Sequence, residues 1–230
     1  MIKYIKCIYN EGRCAVKKQG VMLVGLCGRS GSGKGYVSRM FKLCGIPSID
    51  TDAVYCEMTS ATEQLSPCMK ELVERFGEQI LSDDNSLNRV VMRSLVFGED
   101  KEALSDLNTI THKHILTRTE EIASELYNDG AKIVLIDAPV LYESGFDAKC
   151  EAVVCVTAPE ETVISRIMER DGISREAAMA RLKTQISADS LAARADFVIA
   201  NDCEKDELIS RVKNCADRLY DIYNENYTQM

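Results

Sequence analysis

Short apolar runs that stop on glycine or aspartate alternate along this chain with stretches whose apolar residues recur every three or four positions. Residues 21–27 form the first such run and are closed by glycine, the pattern of a strand buried on both faces. A helix is predicted over 33–43, with Val37, Met40 and Phe41 on one face and Gly45 just past its end. Residues 46–50 read as a second strand that stops on Asp-Thr-Asp. Helical periodicity fills 58–128, where Leu104, Leu107, Ile115, Ile122 and Leu126 are expected to share a face, and Asn128-Asp129-Gly130 marks the stop.

The most hydrophobic run, 132–136, ends at Asp137-Ala138-Pro139, and 151–156 is the next strand. Pro159 opens a helix, since proline is tolerated in the first turn. Ser174 is the expected N-cap of a helix over 174–186, and 197–200 is the last strand. The closing helix presents Leu208, Val212, Cys215, Leu219 and Ile222 on one face. Alternation of this kind implies an α/β fold, a parallel sheet of about five strands with helices on both faces. The 58–129 block is too long for one crossover and reads as a helical insertion.

Composition narrows the partners. Hydrophobic residues make up 46% of the 230 and charged ones 28%, ordinary for a globular chain. A net charge of −8 argues against an extended nucleic-acid face, though a phosphate site needs only local positive potential. The ten cysteines include no C-x-x-C pair, so zinc spacing is missing and reduced thiols in a cytoplasmic protein are expected. No apolar run has the length of a membrane span. Residues 1–20, with Lys3, Lys6, Arg13, Lys17 and Lys18, are read as an extension: an extra element, a mobile arm, or the product of an early start codon.

The chemistry concentrates in Gly28-Arg29-Ser30-Gly31-Ser32-Gly33-Lys34, a complete G-x-x-x-x-G-K between a predicted strand and a predicted helix. Glycines let successive backbone N–H groups turn toward one anion, and the lysine adds a charge that reaches the β- and γ-phosphates. Gly31, Ser32, Gly33, Lys34, Gly35 and Tyr36 are therefore candidate nucleotide contacts in a P-loop kinase-like core. Gly35 stands where this loop ordinarily carries a Mg²⁺-ligating Ser or Thr. Water is expected to fill that place. Asp50, Asp52 and Asp137 fall at predicted strand ends, where ligands gather in open α/β sheets. Asp137 is the candidate for the metal side, directly or through water; Asp50 and Asp52 are expected to alternate on an extended segment and share a face.

These segments together resemble the dephospho-coenzyme A kinase family. The resemblance runs from Val24 to Asp202 and rests on the loop, on Ile49-Asp50-Thr51-Asp52-Ala53-Val54, and on Leu107 to His112. It continues through Ile136 to Gly145, Arg170 to Ser174, Arg181 with Gln185, and Ala195 to Asp202. It implies transfer of the ATP γ-phosphate to the ribose 3′-hydroxyl of dephospho-CoA, with Mg²⁺. It implies a core over 21–57, 130–160 and 190–230, a helical acceptor domain over 58–129, and a lid over 161–189. By motif, Asp52 is the base, Lys34 steadies phosphate charge and Arg170 is the lid arginine. Asp50, His112, Pro139, Leu141 and Glu143 lie on the acceptor side, and Asn201 lies near the adenine. A monomer or weak homo-oligomer is expected. The chain departs from the family's usual pattern at Arg29, Gly35 and Lys113.

The lid has a local argument as well. Residues 163–185 hold Arg166, Arg170, Arg175, Arg181 and Lys183 against Glu169, Asp171 and Glu176, an excess of positive charge in an acidic chain. Arg166, Arg175 and Lys183 read as solvated helix cations, Arg170 as the functional one. His112 and His114, two apart on a helix, face different ways. Two other functions fit the loop: a different small-molecule or nucleoside monophosphate kinase, and a nucleotide-binding regulator weakened by Gly35.

Overall fold

The computed structural model describes residues 20–227. The expectations for residues 1–19 lie outside them. Five strands, β1 (Met22–Cys27), β2 (Ser48–Asp50), β3 (Ile133–Asp137), β4 (Ala152–Thr157) and β5 (Phe197–Ala200), form one sheet in the order β2-β3-β1-β4-β5. β1 pairs in parallel with β3 and β4, and β4 pairs in parallel with β5. The three inner strands are buried on both faces over nearly their whole length, which is why they read as unbroken apolar runs.

Helix α1 (Lys34–Leu43) follows β1, and Val37 and Phe41 carry it into the core. α2 (Thr51–Met58) follows β2 directly. Next come α3 (Pro67–Phe76), α4 (Arg89–Val96) and the long α5 (Ala103–Asn128). After β4 run α6 (Glu160–Asp171), α7 (Arg175–Lys183) and α8 (Ala188–Arg194), and the chain closes with α9 (Lys205–Asn226). α9 buries Leu208, Val212, Cys215, Ala216, Leu219 and Tyr223, a stripe at helical spacing, in the same cluster as Val37 and Phe41. Full burial of a side chain such as Leu219 or Phe41 contributes about 1.5–3 kcal/mol.

The chain divides into two compact units. One is helical, Asp50–Ile122; the other comprises the rest of the described chain, with α6 and α7 inside it. The helical unit has its own core of Cys68, Met69, Leu72, Phe76, Ile80, Leu87, Met92, Ala103 and Ile110. Arg75 ties this unit at its surface, donating to Asp106 at 2.6 Å and Asp100 at 2.7 Å.

Four readings need correction. Asp52 is not extended: the Asp50 carboxylate accepts from the backbone N–H of Asp52 and Ala53, caps α2 and starts the helix at Thr51. Asp50 and Asp52 therefore share no strand face. Leu104 is 41% exposed, and the buried seam of α5 runs instead through Ala103, Ile110, Thr111, Ile115, Thr119 and Ala123. Small and hydroxyl side chains form much of that seam, so a search for large apolar residues misplaced it. The helix expected over 174–186 stops at Lys183, and Ser187 caps the separate α8. On α9 the deepest position near the end is Tyr223, with Ile222 only half-buried. Among the described residues no helix is long and apolar enough to cross a membrane.

Candidate active site

The turn between β1 and α1 is built to hold an anion. Gly31 and Gly33 adopt φ values of 80° and 93°, a region that side chains resist and glycine enters freely. Gly33 is also the N-cap of α1, so no side chain caps the helix, and its first turn carries no acid. The positive end of α1 is thus left without a side-chain cap, the arrangement that suits an anion. Lys34, the first residue of α1, donates its ammonium to Asp137 Oδ1 at the end of β3. The pair joins a cation in the first turn after β1 to a carboxylate at the carboxyl end of the adjacent β3.

Distant residues fasten this turn. The buried Asn201, just past β5, donates Nδ2 to the Ser32 carbonyl at 2.8 Å. A Cβ on Gly33 would fall deep inside the contact distance of that same Nδ2. Arg166 Nη1 donates to the carbonyls of Gly31 and Ser32, 3.3 Å each. Gln185 Oε1 accepts from the Ser30 N–H at 3.1 Å, and Arg170 Nη2 donates to Ser30 Oγ at 3.1 Å. Arg29, bulky in a glycine's place, turns away and donates Nη2 to the Leu182 carbonyl at 2.6 Å.

Among the arginines of α6 and α7, Arg175 is solvated as expected and Arg166 departs from its expected role. Arg175 forms a bidentate pair with Glu161 at 2.9 and 2.7 Å on the surface between α6 and α7. Arg166, read as a solvated cation, is instead a clamp on the loop. Its signal was the one-turn spacing to Arg170 on α6, which puts both on one face. Asp171 is held down at about 2 by hydrogen bonds first from Arg170 and then from Arg181, linking α6 to α7.

The remaining predicted residues scatter. Tyr36 packs partly buried against the core. Pro139 and Glu143 are exposed beyond β3. Leu141 is 1% exposed and fills the space left by Gly25, where a Cβ would meet its Cδ2 at 2.7 Å, so its side chain is part of the core. In the helical unit Asp52 is exposed in the first turn of α2. His112 is half-buried, and burial pushes its pKa down. His114 Nε2 lies 2.8 Å from Glu71 Oε2, which Lys113 also contacts. Among the described residues no three His, Cys, Asp or Glu side chains converge to hold a metal. A cavity of about 270 Å³ opens beside the loop, walled by Arg29, Ser32, Thr157, Ser187 and Asp189 among others.

The family model for dephospho-CoA kinase matches residues 22–207. The chain belongs to the dephospho-CoA kinase family. It is 36% identical over 179 residues to the dephospho-CoA kinase of Listeria monocytogenes, covering 78% of this chain and 88% of that one. The dephospho-CoA kinase of Dehalococcoides mccartyi is 35% identical over 194 residues, 84% of this chain and 96% of that one. Among solved structures it is similar to TT1252 from Thermus thermophilus, with a TM-score of 0.71 and 28% identity over 87% of this chain and 98% of that one. A dephospho-CoA kinase from Campylobacter jejuni shares the fold, with a TM-score of 0.60 and 24% identity over 89% and 98% of the two chains. The matched span includes both the phosphate loop and Asn201, so the features that fasten the loop lie within the dephospho-CoA kinase region.

Proposed function

We propose that the protein transfers the γ-phosphoryl group of ATP to the ribose 3′-hydroxyl of dephospho-CoA. The observation that carries this reading is Lys34, held by Asp137 at the uncapped N-terminus of α1. There the loop amides take the β-phosphate, and Lys34 balances negative charge that shifts between the β- and γ-phosphates. Arg170 lies against the loop through Ser30, is more than half exposed, and would exchange its surface pairing with Asp171 for the transferring group. Arg166 holds the loop carbonyls so that the amides stay turned to the ligand.

Asp52 is the proposed base. Its carboxylate, at the positive end of α2 directly after β2, takes the proton from the attacking hydroxyl. Asp50 positions it by capping that helix and setting where the helix begins. Mg²⁺ suits the donor set in one respect: Asp137 offers a hard carboxylate oxygen. Ser38, one turn beyond Gly35, is spent in donating to Ser48 Oγ at 2.9 Å. The ion would thus be held by Asp137, by phosphate oxygens and largely by water, and when bound it neutralises charge on the phosphates. A reducing compartment such as the cytoplasm suits the eight described cysteines, all free thiols.

The test is a coupled assay of the purified full chain with Mg·ATP and dephospho-CoA, AMP, CMP or shikimate as acceptor. ADP release with dephospho-CoA alone is expected. Release with another acceptor only, or with none, removes this reading.

A further inference from the structure

β1 and β4 run side by side, and their register sets Cys27 directly beside Cys155. In-register neighbours on parallel strands project to the same face. Both side chains are buried, at 2% and 0% exposure. Adjacent strands lie about 4.7–4.9 Å apart, inside the Cα separation of roughly 4.4–6.8 Å that disulfide partners adopt. Cys27 is the last residue of β1, and Gly28 opens the phosphate loop. Cys155 also belongs to the wall of the cavity of about 270 Å³ that Arg29 and Ser32 line, and because its side chain is 0% exposed, peroxide reaches the pair when that wall opens. From this juxtaposition we infer that Cys27 and Cys155 are a reversible oxidation site, which hydrogen peroxide closes to a disulfide that disables the phosphate loop.

The chemistry balances with peroxide as the only oxidant. The Cys155 thiol, and less strongly the Lys34 ammonium, hold the Cys27 thiol below its ordinary range against the upward push of burial. The Cys27 thiolate attacks one peroxide oxygen, the O–O bond breaks, and hydroxide leaves a sulfenic acid on Cys27. The Cys155 sulfur then attacks the Cys27 sulfur, the S–O bond breaks, and the hydroxyl leaves with the Cys155 proton as water. The released Cys27 proton neutralises the first hydroxide. Two thiols and one peroxide thus become one disulfide and two waters. A dithiol reverses it by exchange.

The effect on the loop follows from spacing. Disulfide Cβ atoms sit about 3.8 Å apart, roughly an ångström closer than neighbouring strands. Closing the bond draws the ends of β1 and β4 together where the loop has no slack: a Cβ at Gly28 would already lie 2.6 Å from the Val156 carbonyl and 2.8 Å from Ser32 Oγ. This consequence rests on the phosphate-loop reading; formation of the bond does not.

The experiment uses the full chain carrying Cys56→Ser, which removes the exposed described thiol. After peroxide treatment, unreduced peptide mapping is expected to find Cys27 and Cys155 linked, two hydrogens lighter than the free thiols. ATP affinity should fall about tenfold or more and recover with dithiothreitol. Cys155→Ala and, independently, Cys27→Ala should keep their ATP affinity under peroxide. No linked peptide, a linked peptide with unchanged ATP affinity, or equal loss in both variants overturns the inference. A reduced protein that fails to bind ATP at all counts against the phosphate-loop reading instead, and the peptide map still decides the oxidation site.

Discussion

Replacing Gly33 by alanine tests the architecture of the phosphate loop most directly. At φ of 93°, a Cβ costs about 1–2 kcal/mol through collision with its own backbone. The new methyl also enters the space of Asn201 Nδ2 and must push that amide off the Ser32 carbonyl, which it now meets at 2.8 Å. Losing that bond costs about 0.5–1.5 kcal/mol, toward the lower end because Arg166 still reaches the same carbonyl. Gly33→Ala should therefore destabilise by about 2–4 kcal/mol once the displaced amide's own lost packing is included. Asn201→Ala alone should cost about 1 kcal/mol. The double variant removes the collision, so it should be more stable than the sum of the singles by about 1–2 kcal/mol. Urea denaturation of the four proteins measures the cycle, and ATP titration follows the loop itself. A Gly33→Ala protein as stable as its parent, or strict additivity in the double variant, would show that Asn201 does not press on this glycine.

Asp52→Asn should lower the chemical step by about two to four decades while leaving ATP affinity unchanged; single-turnover kinetics near the parental rate would remove Asp52 from the role of base. Gly35→Ser should fold normally, because a Cβ there meets nothing closer than Arg39 Nη1 at 4.0 Å. It should lower the Mg²⁺ concentration needed for half-maximal turnover, and loss of activity would contradict a water in that place. His112 is held below its ordinary value of 6.5 by burial, so the folded protein resists protonating it while the unfolded chain does not. Its contribution to stability is present above pH 6.5 and declines as the pH falls toward the lower folded value. The urea midpoint should drop between pH 7.5 and 5.5 by more in the parent than in His112→Gln, and equal drops would exclude this source.

Local patterns account for what the sequence made visible. β1, the glycine loop, α1 and β5 were legible because strand, turn and helix signals adjoin within a few residues. The Ser174 cap was legible for the same reason: its hydroxyl serves the N–H of Ala177, three residues on. At Asp50 two local signals competed, an extended run and a side chain able to cap its own backbone, and the cap prevailed. Leu141 was singled out by its motif; that its side chain is buried against Gly25 became visible only in three dimensions. The partners of Gln185 and Asn201 on the loop had no local signature, since each acts on residues more than a hundred positions away, and for Arg166 the one-turn spacing to Arg170 gave the face but not the partner.

That last separation bears on synthesis. Asn201 reaches back 169 positions, Gln185 155, and Arg166 135 and 134 positions to the turn they secure. A nascent chain therefore emerges with its glycine turn complete in covalent terms long before its fastenings exist. Competence to hold a ligand there arrives only once β5 and Asn201 have left the ribosome, which ties it to emergence of a segment far from the turn.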